Sequence, residues 1–459
     1  MACGRYELQM ALTPDQRSAL EASIAERTHA STSTLLPSYV CTPPLTRAPI
    51  MKTNLAPTTS CSDRLGCLCE RAGDECTLGL SSTAEYLPDA DYVASLQAAA
   101  VAPPAASLDM LGSLLELQFP RTCARAAAAG YWNAGFGATF HYVLVNLKRA
   151  YRDSSPAAFL WAGSPTARYA NRSAPLLLDS GGRWNYGHCT SGGLDCVFLP
   201  HTSCEAHLRA NDVDRRRLKY PVRLPDHEAG WVPARFEEAG HGVFWLISTL
   251  AGFMWRLQPT VVRAVRKAAG RIAGLPERYL GLHLRRGDAC ANGADKRAAL
   301  RKMDRWCAPV SEYAAQVERV ARRYQLESVF VASDEEAALA ELRNLLPSHL
   351  TLFTQPTVFS GHATHTRDGG SIEETMFRAS EDSKQVAAAE VVTDVVLLAQ
   401  SRVLVGAFSS TISRLALELH YFHTSRMPPF VSLDFSWCWG GYSRVPVTVR
   451  GGNTSRYPC

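Results

Sequence analysis

The sequence predicts an α/β fold whose C-terminal part is a parallel, doubly wound sheet. From Met110 onward short apolar runs alternate with helical stretches, and the runs at 279–284, 328–332 and 402–406 have the length and composition of buried strands. Between the first two lies SEYAAQVERVARRYQ, where Tyr313, Val317, Val320 and Tyr324 share one helical face and Ser311 is placed to cap the start. That segment reads as the crossover helix of a βαβ unit. The third run follows a predicted helix over 386–400 and precedes one opening at Ser409 or Ser410, which extends the βα alternation over roughly the last 180 residues. Such a sheet is a natural frame for a nucleotide site.

At 459 residues the chain is long enough for two or three domains of roughly 100 to 200 residues each. Residues 1–105, rich in Ser, Thr, Pro and Ala, read as a variable stem or linker, 106–275 as an N-terminal α/β subdomain, and 276–459 as the nucleotide-binding subdomain. Within the stem, Cys61, Cys67, Cys69 and Cys76 fit none of the usual zinc spacings, so local disulfides are favoured over a metal site. A composition 46% hydrophobic and 20% charged excludes wholesale disorder. The net charge of +5, from 48 basic and 43 acidic residues, is too small to make nucleic acid or an anionic membrane the main partner. The basic run Arg215, Arg216, Arg217 and Lys219 is a solvated surface.

Fourteen cysteines and two sequons, which make Asn171 and Asn453 glycosylation candidates, favour an oxidising, secretory-lumen setting. The first 30 residues contain no uninterrupted apolar h-region, and the longest apolar stretch, Val243–Met254, is too short to span a bilayer. Either an anchor lies outside this sequence or the compartment inference fails; the even, dispersed cysteine set favours the first.

Three segments carry candidate chemistry. YLGLHLRRGDAC sets His283, Arg285, Arg286 and Asp288 at the C-terminal end of a buried strand, the edge at which open α/β sheets bind ligands. A guanidinium is always charged and its fork fits phosphate, so a diphosphate suits the two arginines; an Arg–Asp ion pair that ties down a loop suits them equally. The embedded Arg-Gly-Asp tripeptide follows the strand directly, which argues against adhesion. In VLVGAFSSTISRLALEL, the amides and hydroxyls of Ser409, Ser410 and Thr411 at a helix start suit a phosphate, or serve as an ordinary cap. In WNAGFGATFHYVLVNL, Gly135 and Gly137 permit close backbone approach to a ligand or mark a tight turn. Asp394, on the helix before the third strand, reads either as a base-edge acceptor or as helix surface.

Taken in order, these segments resemble glycosyltransferase family 23, the α1,6-fucosyltransferases that core-fucosylate N-glycans and their Nod-factor relatives. The likeness runs from about Cys123 to the C-terminus and includes RWNYGHCTSGGLDCVFLPHTSC, His241-Gly242 with VFWLISTLAGFMWRLQP, GLHLRRGD, VFVASDE and TDVVLLAQSRVLVGAFSSTISRLALEL. The resemblance implies a GT-B-like pair of α/β subdomains, the C-terminal one Rossmann-like and holding GDP-fucose without a metal or other cofactor. It implies a glycan or glycoprotein acceptor, a Golgi or secretory-lumen location and a membrane anchor that this chain does not display. Arg285 would grip the β-phosphate, His283 would lie beside the donor, and Arg286 and Asp288 would complete the arginine motif. Asp394 would accept from guanine, Ser409, Ser410 and Thr411 would line the diphosphate, and Gly135, Gly137 and Tyr186 would come from the first subdomain. Cys123 and Cys204 occupy positions that look like a family disulfide.

The sequence departs from the family twice. Where the core fucosyltransferases carry a lysine and then a glutamate assigned as base, this chain has Ala289 and Gly293. The nearest candidate replacement is Asp295; Asp334 and Glu335, just after the next strand, are the others, with Glu335 also readable as plain surface. The loop between carries DACANGADKRAALRKMDRWC, which Cys290 and Cys307 bracket as disulfide candidates. A remodelled loop there implies another acceptor, another base, or a glycan- or nucleotide-binding relative without activity; another donor sugar or a protein side chain as acceptor also keeps the arginine. Second, the mammalian enzymes continue into an SH3-like domain, whereas this sequence ends soon after FSWCWGGYSRVPV.

Overall fold

The computed structural model describes residues 69–72, 75–78, 84–91, 93, 105–129, 136–159, 197–204, 207, 231–287, 290, 307–355, 381–424, 426–434 and 437. In chain order, a hairpin of β1 (Cys69–Ala72) and β2 (Glu75–Leu78) precedes β3 (Ala84–Tyr86). The N-terminal half then supplies α1 (Ala105–Gln118), β4 (Ala127–Ala129), α2 (Phe136–Arg152), β5 (Ala157–Phe159), α3 (Ala234–Glu238), α4 (Val243–Met254) and α5 (Pro259–Gly270). The C-terminal half alternates β6 (Leu280–Leu284), α6 (Val310–Tyr324), β7 (Ser328–Ser333), α7 (Glu336–Leu345), β8 (Thr351–Phe353), α8 (Glu381–Gln400), β9 (Val403–Gly406), α9 (Thr411–Thr424) and β10 (Phe430–Ser432).

The α/β class expected from the sequence is the one observed. Six strands form one sheet in the order β3-β10-β9-β6-β7-β8, parallel except for β3, which pairs antiparallel with β10. Alternate residues of each inner strand feed opposite cores, as a sheet covered on both faces requires. Leu280, Leu282, Leu284, Val329, Val331, Val403 and Val405 meet the apolar stripe of α6, including Tyr313, Val317, Val320 and Tyr324. On the other face Phe330, Ala332, Leu404 and Phe430 join a second core with residues of α8 and α9. Gly281 lets α8 approach: a Cβ there would lie 2.6 Å from Ser401 Oγ.

Two expectations change. Pro309, held in extended backbone, sets the start of α6, so Ser311 falls inside the first turn and does not cap it. Residues 84–86, assigned from composition to the stem, form the edge strand β3; a three-residue strand carries too little periodicity to stand out. The cysteine cluster lies partly outside the described residues, at Cys61 and Cys67, and partly on the hairpin, at Cys69 and Cys76.

The second sheet is the parallel pair β4-β5. Around it the apolar stretch noticed in the sequence becomes α4, which is buried along its whole length and packs on α1, α2 and α9. Among the described residues no helix is long and apolar enough to cross a membrane. The rings of Phe136, Phe140, Phe198 and Trp255 cluster with centroids 5.3 to 6.3 Å apart and seat the start of α2. Cys123–Cys204 forms a disulfide beside this cluster's chain segments. The core containing Met110 also contains Leu415 and Trp437, so the two halves share one apolar interior.

Gly252 on α4 is where that interior is tightest, because a Cβ would run into the Phe422 ring on α9. Gly252→Ala should therefore destabilise the protein by about 1–3 kcal/mol, although alanine is the better helix former by about 1 kcal/mol. A lower denaturant midpoint with unchanged slope is the expected result, and an unchanged or higher midpoint would show that the interface yields freely.

Candidate functional site

The site follows from strand order. β6 connects forward to β7 on one side, while β9 lies on its other side and leads to β10, so the sheet reverses its winding between β6 and β9. Loops leaving adjacent strand ends at such a reversal part and open a crevice, which is where α/β sheets place ligands. The loop after β6 carries Arg285 and Arg286; the one after β9 carries Ser409 and Ser410 and runs into Thr411 at the start of α9.

Arg285 forms an ion pair with Asp334, the residue after β7. Asp334 Oδ1 also accepts the Arg286 backbone N–H at 2.8 Å. The Arg286 guanidinium donates to the Ala308 carbonyl at 2.5 Å and lies 3.6 Å from the Glu335 carboxylate. The Cys290–Cys307 disulfide closes over this loop, and the Cys290 N–H donates to the Arg286 carbonyl at 2.8 Å. Of the two alternatives for the arginines, the Arg–Asp pair is the one formed here, and Arg285 and Arg286 are both partly exposed at the expected sheet edge. Glu335, expected as surface, has one third of its side chain exposed and faces Arg286.

His283, the last inward residue on the α8–α9 face of β6, is buried with Nδ1 2.7 Å from Ser413 Oγ. A Cβ on Gly406 of β9 would lie 2.8 Å from the same Ser413 oxygen, so the glycine admits this contact.

At the start of α9 two backbone amides have partners within the protein. The N–H of Ser409 already faces the buried Asp434 carboxylate, at 3.3 Å from each oxygen, and the Phe408 N–H donates to Ser432 Oγ at 3.0 Å. Ser409 and Ser410 are themselves buried, and the Ser410 carbonyl accepts from Arg414, placing Ser410 as the helix cap. The amides that a helix leaves without intrahelical partners are those of Thr411, Ile412 and Ser413, which follow Ser410 directly. Gly137, in the first turn of α2, rests on Thr411: a Cβ would lie 2.6 Å from Thr411 Oγ1. The glycine admits a neighbouring helix at that point.

Asp394, on α8, meets the segment that follows β8, where Gln355 Nε2 donates to its Oδ1 at 2.5 Å and to the Glu390 carbonyl at 2.9 Å. Burial pushes the Asp394 carboxyl up to about 8; the Gln355 bond opposes the rise and Glu390 adds to it. Asp288, Asp295, Gly135, Tyr186, Asn171 and Asn453, with Ala289 and Gly293, lie outside the described residues.

Sequence inspection missed Ser413, Asp434 and Gln355. Asp434 follows β10 at the same sheet edge as the arginines, so edge logic applied to every strand finds it. Ser413 and Gln355 had no signal beyond being polar near strand or helix ends.

Because the folded Asp394 holds its proton up to about pH 8 whereas the unfolded carboxyl releases it near 4, the folded state binds the extra proton between those values. Stability due to this group therefore falls as pH rises through that window. Asp394→Asn, which keeps the acceptor for Gln355, should match the parent near pH 4 and exceed it increasingly toward pH 8 in denaturant midpoint. Parallel midpoints across the window would show that the carboxyl is ionised in the fold.

Residues 231–435, which hold β6 to β10 and the arginine loop, match the family model described as Alpha-(1,6)-fucosyltransferase N- and catalytic domains. Among solved structures the chain is similar to NodZ α-1,6-fucosyltransferase soaked with GDP-fucose, at 13% identity over 64% of this chain and 92% of that one, with a TM-score of 0.35. It is also similar to fucosyltransferase NodZ from Bradyrhizobium, at 12% over 64% and 93%, TM-score 0.31. POFUT1 in complex with GDP matches at 14% over 41% of this chain, TM-score 0.27, and the chain spans 49% of that structure's length. Over residues 231–435, which carry the arginine loop, this chain is similar to that fucosyltransferase family.

Proposed function

We propose that the protein is an inverting, metal-independent fucosyltransferase that moves fucose from GDP-fucose to a hydroxyl of a glycan. The carrying observation is the placement of Arg285 and Arg286 on the loop after β6, at the winding reversal of the sheet, within the stretch that matches the fucosyltransferase family model. The N-terminal, 106–275, and C-terminal, 276–459, parts would act as the two sides of the crevice, with 1–105 largely stem.

In this reading the donor diphosphate takes over Arg285 from Asp334. As the bond from fucose C1 to the β-phosphate oxygen breaks, charge builds on that oxygen, and a fixed guanidinium stabilises it more in the transition state than in the ground state. Thr411 and the first amides of α9 add donors, with Ser409, Ser410, Gly135, Gly137 and Tyr186 lining the donor and His283, Arg286 and Asp288 supporting it. Asp394 would accept from guanine. The acceptor oxygen attacks C1 from the opposite face while its proton passes to a carboxylate. Asp334 is engaged by a guanidinium and an N–H, which favours it as the residue that orients Arg285 and leaves Asp295 as the proposed base. The two disulfides, Cys123–Cys204 and Cys290–Cys307, support a secretory-pathway lumen such as the Golgi.

A second reading, a nucleotide- or glycan-binding protein without turnover, is favoured by Ala289 and Gly293 at the family's lysine and glutamate positions. Calorimetric titration with GDP in EDTA, then a GDP-fucose hydrolysis assay, separates the two. Binding with fucose release is expected for the enzyme, and binding without release for the binder. Arg285→Ala should weaken GDP by roughly 10- to 100-fold, the loss of a charged hydrogen-bond donor worth about 1.5–3 kcal/mol. Unchanged GDP affinity in that variant would overturn the donor-site assignment.

A further inference from the structure

His141, Glu418 and Trp437 form a buried polar group that the donor contacts above do not use. Glu418, on α9, is 0% exposed. Its Oε1 accepts from Trp437 Nε1 at 2.9 Å and lies 3.0 Å from His141 Nε2. On the other side of the ring, His141 Nδ1 donates to the Gly137 carbonyl at 2.7 Å. A carbonyl only accepts, so Nδ1 carries a proton, and Nε2 and the carboxyl share a second one. Glu418 Oε2 has no hydrogen-bond partner among the described residues. Burying a carboxyl with one oxygen unmet costs free energy, and a buried ion pair is a poor source of stability, so packing alone does not account for an acid here.

The effect of the pair is geometric. Gly137 and His141 lie one turn apart on α2; Thr411 and Glu418 lie two turns apart on one face of α9. The helices are joined at two points, the bare contact of Gly137 on Thr411 and the hydrogen-bonded link of His141 to Glu418. The Gly137 residue takes part in both, through its Cα in one and its carbonyl in the other.

We propose that Glu418 is a positioning residue that acts through His141 to hold the first turn of α2 against the first turn of α9, fixing the wall of the crevice that meets the donor diphosphate. The ligand in this inference rests on the proposed function; the helix contact does not.

The test uses the full chain, with Glu418→Ala, His141→Ala, the double variant and Glu418→Gln. GDP titration is one readout, and amide exchange of peptides covering 136–140 and 409–413 is the other. Each alanine variant should weaken GDP about tenfold or more and speed exchange in both peptides, and the double variant should be no worse than either single one, because one shared link is lost. Glu418→Gln places either its oxygen or its NH2 where Oε1 now meets both Trp437 and His141, so it keeps one of the two contacts and should show losses between the parent and the alanine variant. Folded alanine variants with parental GDP affinity, additive losses in the double variant, or parental exchange in both peptides would each overturn the proposal. If the alanine variants do not fold, His141→Phe, which keeps the ring's bulk and removes both bonds, decides by the same readouts. A parent chain that fails to bind GDP refutes the proposed function instead, and exchange then decides the positioning role alone.

Discussion

The parallel pairing of β6 with β9 is the constraint on which the site depends. Leu280, Gly281 and Leu282 lie in register with Val403, Leu404 and Val405, residues brought together across more than a hundred positions of sequence. Because the next connections diverge, to β7 on one side and β10 on the other, the chain cannot close over the ends of these two strands. The crevice is a consequence of winding, and its chemistry of what each loop happens to carry. A register slip of one residue would turn His283 from α9 toward α6 and send the leucines of β6 into the wrong core.

Close approach is bought with glycine at each place where this frame meets a helix. Gly281 admits α8, Gly406 admits Ser413, Gly252 admits Phe422 and Gly137 admits Thr411. None of these four depends on an unusual backbone conformation; each is a matter of room. The polar groups sealed in by this proximity are satisfied locally: His283 by Ser413, the Ser409 amide by Asp434, and the Gly137 carbonyl by His141. In the arginine loop Asp334 pairs with Arg285 and the Ala308 carbonyl accepts from Arg286, while Glu335 lies 3.6 Å from the Arg286 guanidinium. A ligand entering there exchanges partners with the protein instead of filling bare charge, which lowers the net gain per contact and raises the discrimination against weaker anions.

Much of the frame was legible in the sequence because buried parallel strands and an amphipathic crossover helix leave strong periodic signals. The runs ending at Leu284 and Gly406 were read to within a residue or two, and Tyr313, Val317, Val320 and Tyr324 all face the core as their spacing requires. The β3 edge strand was not legible, since its three residues are specified by pairing with β10 and not by a pattern of their own. At the site, residue type and strand-end position located Arg285, Arg286 and His283. Their partners were harder to find. Nothing in the spacing of Asp434 and Ser409, or of Glu418 and His141, marks them as neighbours, because those contacts arise from helix packing across the two halves. Ser311 shows the converse, a good local signal overridden by the stiffer backbone of Pro309.

The pairing of β3 with β10 sets the order in which the protein can be completed. Ala84 lies opposite Ser432, so the last strand added to the sheet finds its outer neighbour near the other end of the chain. During synthesis β3 leaves the ribosome early and waits through the emergence of every other strand of its sheet. Until β10 arrives, β9 is an uncovered apolar edge able to pair with a foreign strand. Loop closure over such a length adds only slowly to the free-energy cost but strongly to the search time. Completing the sheet thus takes one long-range pairing, and a chain lacking residues 430–432 would leave β9 as its edge.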